Sequence, residues 1–216
     1  MRVRLCEVVA LALLLCAVPA RAQRLEDQLI LGINAVRQDP RGYAERLRLY
    51  RGYFKGALLT MPGDPVPILT REGTAAVDEA IAFLERQAPL PPLERAPLLE
   101  QAAIAFAQAQ GAIGGRGHVG QDGSTPGERV RRLGGNIYVG EGIAYGEPDA
   151  EALLREMVVD DGVPGRGHRV LLFAAAFRFA GVGCAPHTTL QHICVVEMSA
   201  TIDGSPVRIL VPAPQP

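Results

Sequence analysis

The chain contains no tryptophan, one lysine (Lys55) and three serines (Ser124, Ser199 and Ser205), and aromatic residues make up only 5% of it. None of the serines lies in a Gly-x-Ser-x-Gly elbow, so a serine hydrolase has no nucleophile to work with. Ser124, beside Thr125, reads instead as part of a helix cap. Excess positive charge is also missing. Beyond residue 22 there are 19 basic and 22 acidic side chains, a net of about −3, which attracts neither nucleic acid nor anionic lipid. The near-absence of lysine among these bases, like that of tryptophan, is read as compositional bias.

Long apolar runs are confined to the start. Arg2 and Arg4 precede the run from Val8 to Val18, and Ala20-Arg21-Ala22 places small residues at both cleavage positions. This is the three-part layout of a secretory leader, and the run is too short for a comfortable membrane span. Leu15 before Cys16 is bulky where a lipidation site wants a small residue. The expected organisation is a signal peptide over 1–22, one domain over 23–211 and a short tail over 212–216, with no transmembrane segment and a monomeric, extracellular or periplasmic product. About 190 residues suit one core.

Cleavage would leave Cys184 and Cys194. An even pair in an exported chain points to a disulfide rather than to a metal or catalytic site. The two cysteines are equidistant from Thr189, as facing positions across a hairpin would be.

Helical spacing is clear in Leu25, Leu29, Ile30, Ile33 and Val36. Asp39-Pro40 reads as a cap and restart, carrying a short helix through Tyr43 and Leu47. Glycine and proline mark 51–72 as loop. Further helices are expected over Val77–Leu84, Pro97–Gln110 and Ala150–Val158, and one starts at the capping box Thr125-Pro126-Gly127-Glu128. Residues 137–144, 177–184 and 190–198 read as strands, 207–211 as a final edge strand, and 160–169 as a loop. The fold class is α+β, with an antiparallel sheet covered by helices.

Gly115-Arg116-Gly117-His118-Val119-Gly120 matches a dinucleotide fingerprint by letter, but it follows an alanine-rich helix and no strand precedes it. His187 and His192 lie in or beside the hairpin turn and read as ordinary residues. His118 and His168 differ, because each sits in glycine-rich backbone with acids nearby, as site loops often do.

The segments His118-Val119-Gly120-Gln121-Asp122-Gly123-Ser124-Thr125-Pro126, Gly140-Glu141-Gly142-Ile143-Ala144 and Gly167-His168-Arg169 together resemble the bacterial CAP (SCP-like) domain family. That family includes cysteine-rich secretory proteins, venom antigens and plant pathogenesis-related proteins. Asp161-Gly162-Val163-Pro164, Phe173 and Gly181-Val182-Gly183-Cys184 resemble one bacterial branch, and Ile33-Asn34-Ala35-Val36-Arg37 resembles the family's first-helix signature. The resemblance implies an α-β-α sandwich with a cleft holding two histidines and two acids. His118 and His168 match the histidines, Glu141 one acid, and Asp160 or Asp161 the other. It also implies zinc or another divalent cation on His118 and His168, with Glu141 as the candidate base. Gly142, Met157 and Leu171 depart from the asparagine, tryptophan and asparagine usual there.

Three functions follow from this reading: a binding module for a small-molecule, lipid or protein ligand, a metal-dependent peptidase-like hydrolase, or a structural envelope protein. Arg166 and Arg169 are expected to be structural, pairing with Asp160, Asp161 or the end of the preceding helix.

Overall fold

The computed structural model describes residues 24–207. The expected leader, its cleavage site and the tail lie outside the described residues, as does all of the expected final strand except Val207, which is in no strand.

Helix α1 (Leu25–Gln38) buries Leu29, Ile30, Ile33 and Val36. Asp39 then accepts a hydrogen bond from the Gly42 N–H at 2.9 Å, and Pro40 opens α2 (Pro40–Arg51), so the cap predicted from the sequence is formed. Arg37, at the end of α1, has no exposed surface. It donates to the carbonyls of Pro91 (3.2 Å), Leu172 (2.6 Å), Ala174 (3.5 Å) and Phe177 (3.3 Å), and so ties three distant segments to the helix. Asn34, one turn earlier, bonds both backbone groups of Leu93.

The segment expected to be loop contains a small antiparallel sheet of β1 (Phe54–Lys55), β2 (Leu58–Leu59) and β3 (Ile68–Leu69). Two-residue strands are too short to leave an alternating pattern in the sequence. Helix α3 (Thr74–Arg86) follows, then β4 (Glu94–Arg95), α4 (Pro97–Ile113) and α5 (Pro126–Arg132). The chain continues through β5 (Val139–Gly146), α6 (Ala150–Val159), a short 3-10 turn, α7 (Gly167–Leu172), β6 (Phe179–His187) and β7 (Gln191–Ser199). His168 and Arg169 therefore lie on a helix, not in the expected loop. Six residues give too few turns to show a period.

The main sheet has the order β4-β6-β7-β5. Its three long strands are antiparallel, and β4 adds a short parallel pair to β6. Strand β5 is thus an outer edge. Cys184 and Cys194 face each other in the β6–β7 register and are joined, with an S–S distance of 2.01 Å.

Alternation along β5 assigns its side chains to two layers. Ile143 and Tyr145 pack with Ala103, Phe106 and Ala107 of α4. Ala144 faces the larger core formed with Leu153, Leu154, Met157 and Val158 of α6 and with Leu29 and Ile33 of α1. Helices thus cover both faces of the sheet. Each Leu, Ile or Met removed from water contributes about 1.5–3 kcal/mol. Helix α4 lies directly on β6 because Gly181 and Gly183 have no side chain. A Cβ at either position would come within 2.0–2.5 Å of the backbone of Leu99 and Glu100, or of Ala103 and Ile104.

Candidate functional site

Two histidine–carboxylate pairs approach the edge strand β5, one from each face of the sheet. The first is built on α5. The capping box forms as its spacing predicts: the Glu128 N–H donates to Thr125 Oγ1 at 3.4 Å, and the Thr125 N–H donates to Glu128 at 2.8 Å. This fixes the start of the helix, and one turn on Arg129 reaches back. Its guanidinium donates to the carbonyls of His118 (2.9 Å) and Ser124 (3.0 Å), contacts Glu141, and lies 3.5 Å above the Phe106 ring. Glu141 is almost wholly buried and bonds His118 Nδ1 at 2.8 Å, while the His118 side chain is half exposed. With Nδ1 held, Nε2 is the ring nitrogen left for a ligand.

The second pair is built where α6 ends. Asp160 adopts left-handed backbone (φ 59°) and its side chain turns inward. One oxygen bonds His168 Nδ1 at 2.7 Å, and the other accepts the N–H groups of His168 (2.9 Å) and Arg169 (3.3 Å) at the start of α7. The hydrogen bond to Asp160 raises the pKa of His168. Burial opposes that rise, and Asp160 and Glu156 assist it through their charge. The ring lies beside Gly142, next in sequence to Glu141.

Of the two aspartates that the sequence left open, Asp160 is the one on His168. Asp161 points elsewhere and accepts the N–H groups of Arg71 (2.7 Å) and Glu72 (2.8 Å). It ties the turn between β3 and α3 to the end of α6 and bonds neither histidine. Arg166 and Arg169 are structural, as expected. Arg169 donates to the last carbonyls of α6, Val158 (2.6 Å) and Val159 (2.7 Å). Their acidic partners were not foreseen, because Glu72 and Glu79 come from the far side of the chain. Arg166 and the Gly162 N–H hold the Glu72 carboxyl down to about 2.

Sequence reasoning missed three residues of the site. Glu156, on α6, is partly open to solvent, but protein crowds it enough that lost hydration pushes its carboxyl up to about 7. His168 and the Tyr145 N–H oppose the rise, and the charge of Asp160 adds to it. Arg129 is the second, and the third is Glu197, directly opposite Glu141 in the β5–β7 register and fully buried. Burial, reinforced by Glu141, pushes the Glu197 carboxyl well above the usual range. Tyr145 lies near both Glu141 and Glu156. Its hydroxyl accepts the Gly117 N–H at 3.0 Å, and Glu141 and Glu156 both add to a rise in its pKa that burial dominates.

Of the remaining histidines, His187 is held by backbone at both ring nitrogens, and the buried Nδ1 of His192 has no partner among the described residues. Nε2 of His187 bonds the Gly115 carbonyl at 2.8 Å and its Nδ1 accepts the Leu190 N–H at 3.1 Å. A hollow of about 400 Å³ lies between α4, α5 and the 120–124 loop, lined by Ala102, Phe106 and Ala109 among others, and neither His118 nor His168 lines it.

Among the described residues no group of three or more histidines, cysteines or carboxylates is arranged to hold a metal ion. Glu141 and Asp160 are already committed to Arg129 and to backbone N–H groups. The donors that remain are the two imidazole Nε2 atoms, which come from opposite faces of the sheet, and the Glu156 carboxyl, so the described residues hold no three-ligand catalytic zinc site.

The family model for the cysteine-rich secretory protein family, CAP, matches residues 33–198. The chain belongs to this family. No curated protein matches it. The CAP domain is similar to an outer surface protein from Borrelia burgdorferi, at 22% identity and a TM-score of 0.42, covering 50% of this chain and 77% of that one. It is also similar to an extracellular protein containing an SCP domain from Bacillus anthracis, at 24% identity and a TM-score of 0.41, covering 50% of this chain and 34% of that one. Among the described residues no helix of the CAP domain is long and apolar enough to cross a membrane.

Proposed function

We propose that this CAP domain is an exported, monomeric binding module whose cleft at the β5 edge takes a divalent cation and a small or lipid ligand. The observation that carries this reading is the matched state of the two imidazoles. Each is anchored through Nδ1 to a buried carboxylate, which fixes the ring and leaves Nε2 open. His118 and His168 would hold the cation, and Glu141 and Asp160 would orient them from behind. When bound, the ion would supply positive charge to an anionic or carbonyl group of a ligand. Two protein ligands hold such an ion less tightly than three, which suits a reversible binding site better than a permanent cofactor. The disulfide fits export.

One observation favours a hydrolase as the second reading. Glu156 combines access to solvent with a carboxyl pushed up to about 7, the range in which a group can both take and give a proton. Glu141 is a poorer base, because it is buried and already bonded to His118 and Arg129.

The test is a calorimetric zinc titration of residues 23–216, His118→Ala and His168→Ala, with peptide hydrolysis assayed alongside and Glu156→Gln added to that arm. Binding lost in both histidine variants, without turnover, supports the module. Turnover that needs zinc and Glu156 supports the hydrolase. No binding by the parent protein would refute both and leave a structural envelope role.

A further inference from the structure

Glu197 is a buried acid for which the site gives no obvious use. It lies directly across from Glu141 between antiparallel strands, where side chains start about 4.5–5.5 Å apart. Gly181, its neighbour on β6, lets the backbone of α4 settle onto that row, and Glu197 is left with no exposed surface. Among the described residues Arg129 is the single cation facing both acids. It contacts Glu141 but stays 3.8 Å from Glu197, and its other bonds go to the carbonyls of His118 and Ser124. The elements packed around Glu197 are β5, β6, α4 and α5, and Glu141 and Arg129 are the charged groups that act on it. As a carboxylate, Glu197 finds no hydrogen-bond donor for either oxygen among the described residues. Two ionised carboxylates would also share one guanidinium in a dry interior.

We propose that Glu197 is a positioning residue that stays protonated at neutral pH and donates its O–H to Glu141, so that the acid and Arg129 together clamp the carboxylate that orients His118. Glu141 accepts from Glu197, Arg129 and His118, and one guanidinium balances one carboxylate. His118 is held as the Nδ1–H tautomer, with Nε2 as the free lone pair. Burial and the adjacent Glu141 charge both favour the neutral acid, in line with the geometry. The proposal deepens the reading of His118 as a ligand-facing residue and rests on that reading only for its functional meaning.

The experiment uses residues 23–216 without added metal, labelled with carboxyl-¹³C glutamate and ring-¹⁵N histidine. At pH 7 one glutamate is expected to resonate as a fully neutral acid, and Glu197→Gln is expected to remove that signal. The glutamine amide can still donate to Glu141, so the ¹⁵N pattern of His118 should stay that of a single tautomer. Glu197→Leu has no donor, so the His118 ring ¹⁵N shifts should move from the parent's values, through the loosened Glu141 carboxylate, while the near-ultraviolet circular dichroism of the parent is retained. A charged Glu197 at pH 7, or an unchanged His118 pattern in Glu197→Leu, would overturn the proposal. Should the leucine variant fail to fold, the ¹³C signal and its loss in Glu197→Gln still decide. No ligand is involved, so failure here is distinct from failure of the zinc titration.

Discussion

Asp160→Asn tests the architecture of the second half-site with little disturbance to the backbone. Asp160 sits at φ 59°, and asparagine tolerates left-handed backbone as well as aspartate does, so the substitution adds no strain. It replaces a buried acceptor of three hydrogen bonds, from His168 Nδ1 (2.7 Å), the His168 N–H (2.9 Å) and the Arg169 N–H (3.3 Å). Asparagine offers one acceptor oxygen and an NH₂ that must face either an N–H group or the ring. Hydrogen bonds to a charged group contribute about 1.5–3 kcal/mol each, so losing one or two of the three should cost about 1.5–6 kcal/mol.

Part of that cost depends on pH. The folded-state pKa of His168 is raised, chiefly by Asp160, so the charged pair's contribution is fully present below the unfolded histidine value near 6.5. It is lost as pH rises through the higher folded value. The stability gap between parent and variant should therefore be largest near pH 6 and shrink toward pH 9, leaving the part due to the backbone N–H groups. Urea unfolding at both pH values in chelator-treated buffer measures the gap, and the His168 ring proton shift gives its titration directly. An equal gap at pH 6 and pH 9, together with an unmoved His168 midpoint, would refute the assigned pairing.

Arg37→Met keeps much of the volume but removes the donor to four carbonyls, and urea unfolding should show a loss of about 3–5 kcal/mol, the scale for breaking a buried charged network. Gly181→Ala forces a Cβ to within 2.0 Å of the Glu100 N, and a thermal melt should show at least the 1–3 kcal/mol typical of overpacking, because the obstacle is backbone. Replacing Cys184 and Cys194 together by alanine opens a cross-link of sequence separation 10, for which the chain-entropy relation gives about 2–3 kcal/mol, readable in urea without reductant. Glu156→Gln removes a carboxyl pushed up to about 7 and with it one of the charges that raise His168, so the His168 titration should move downward by NMR.

What the sequence showed and what it hid divide along a physical line. Periodicity and caps act over three or four residues, so Leu29, Ile33 and Val36, the Asp39 cap and the Thr125–Glu128 box were all legible, and each lies where its spacing put it. The cysteines could be paired because a hairpin makes sequence symmetry into spatial register. Elements of two to six residues, β1 to β4 and α7, are held by their neighbours and leave no period of their own to read.

The site was half legible for the same reason. Glu141 and the two histidines stand in glycine-rich words that can be recognised one at a time. Glu197 stands in an ordinary apolar strand, and only the β5–β7 register sets it against Glu141. Arg129 looks like any basic residue near the end of a helix until the capping box fixes the rotation that turns it onto Glu141. The choice between Asp160 and Asp161 turned on one backbone dihedral: the left-handed residue that ends α6 sends its side chain back to α7, and the next sends its own to the turn between β3 and α3. A carboxylate's partner in this domain is therefore decided by strand register and helix ends more than by its neighbours in sequence. Moving the β5–β7 register by one residue would turn Glu197 to the other face and leave Arg129 with Glu141 alone.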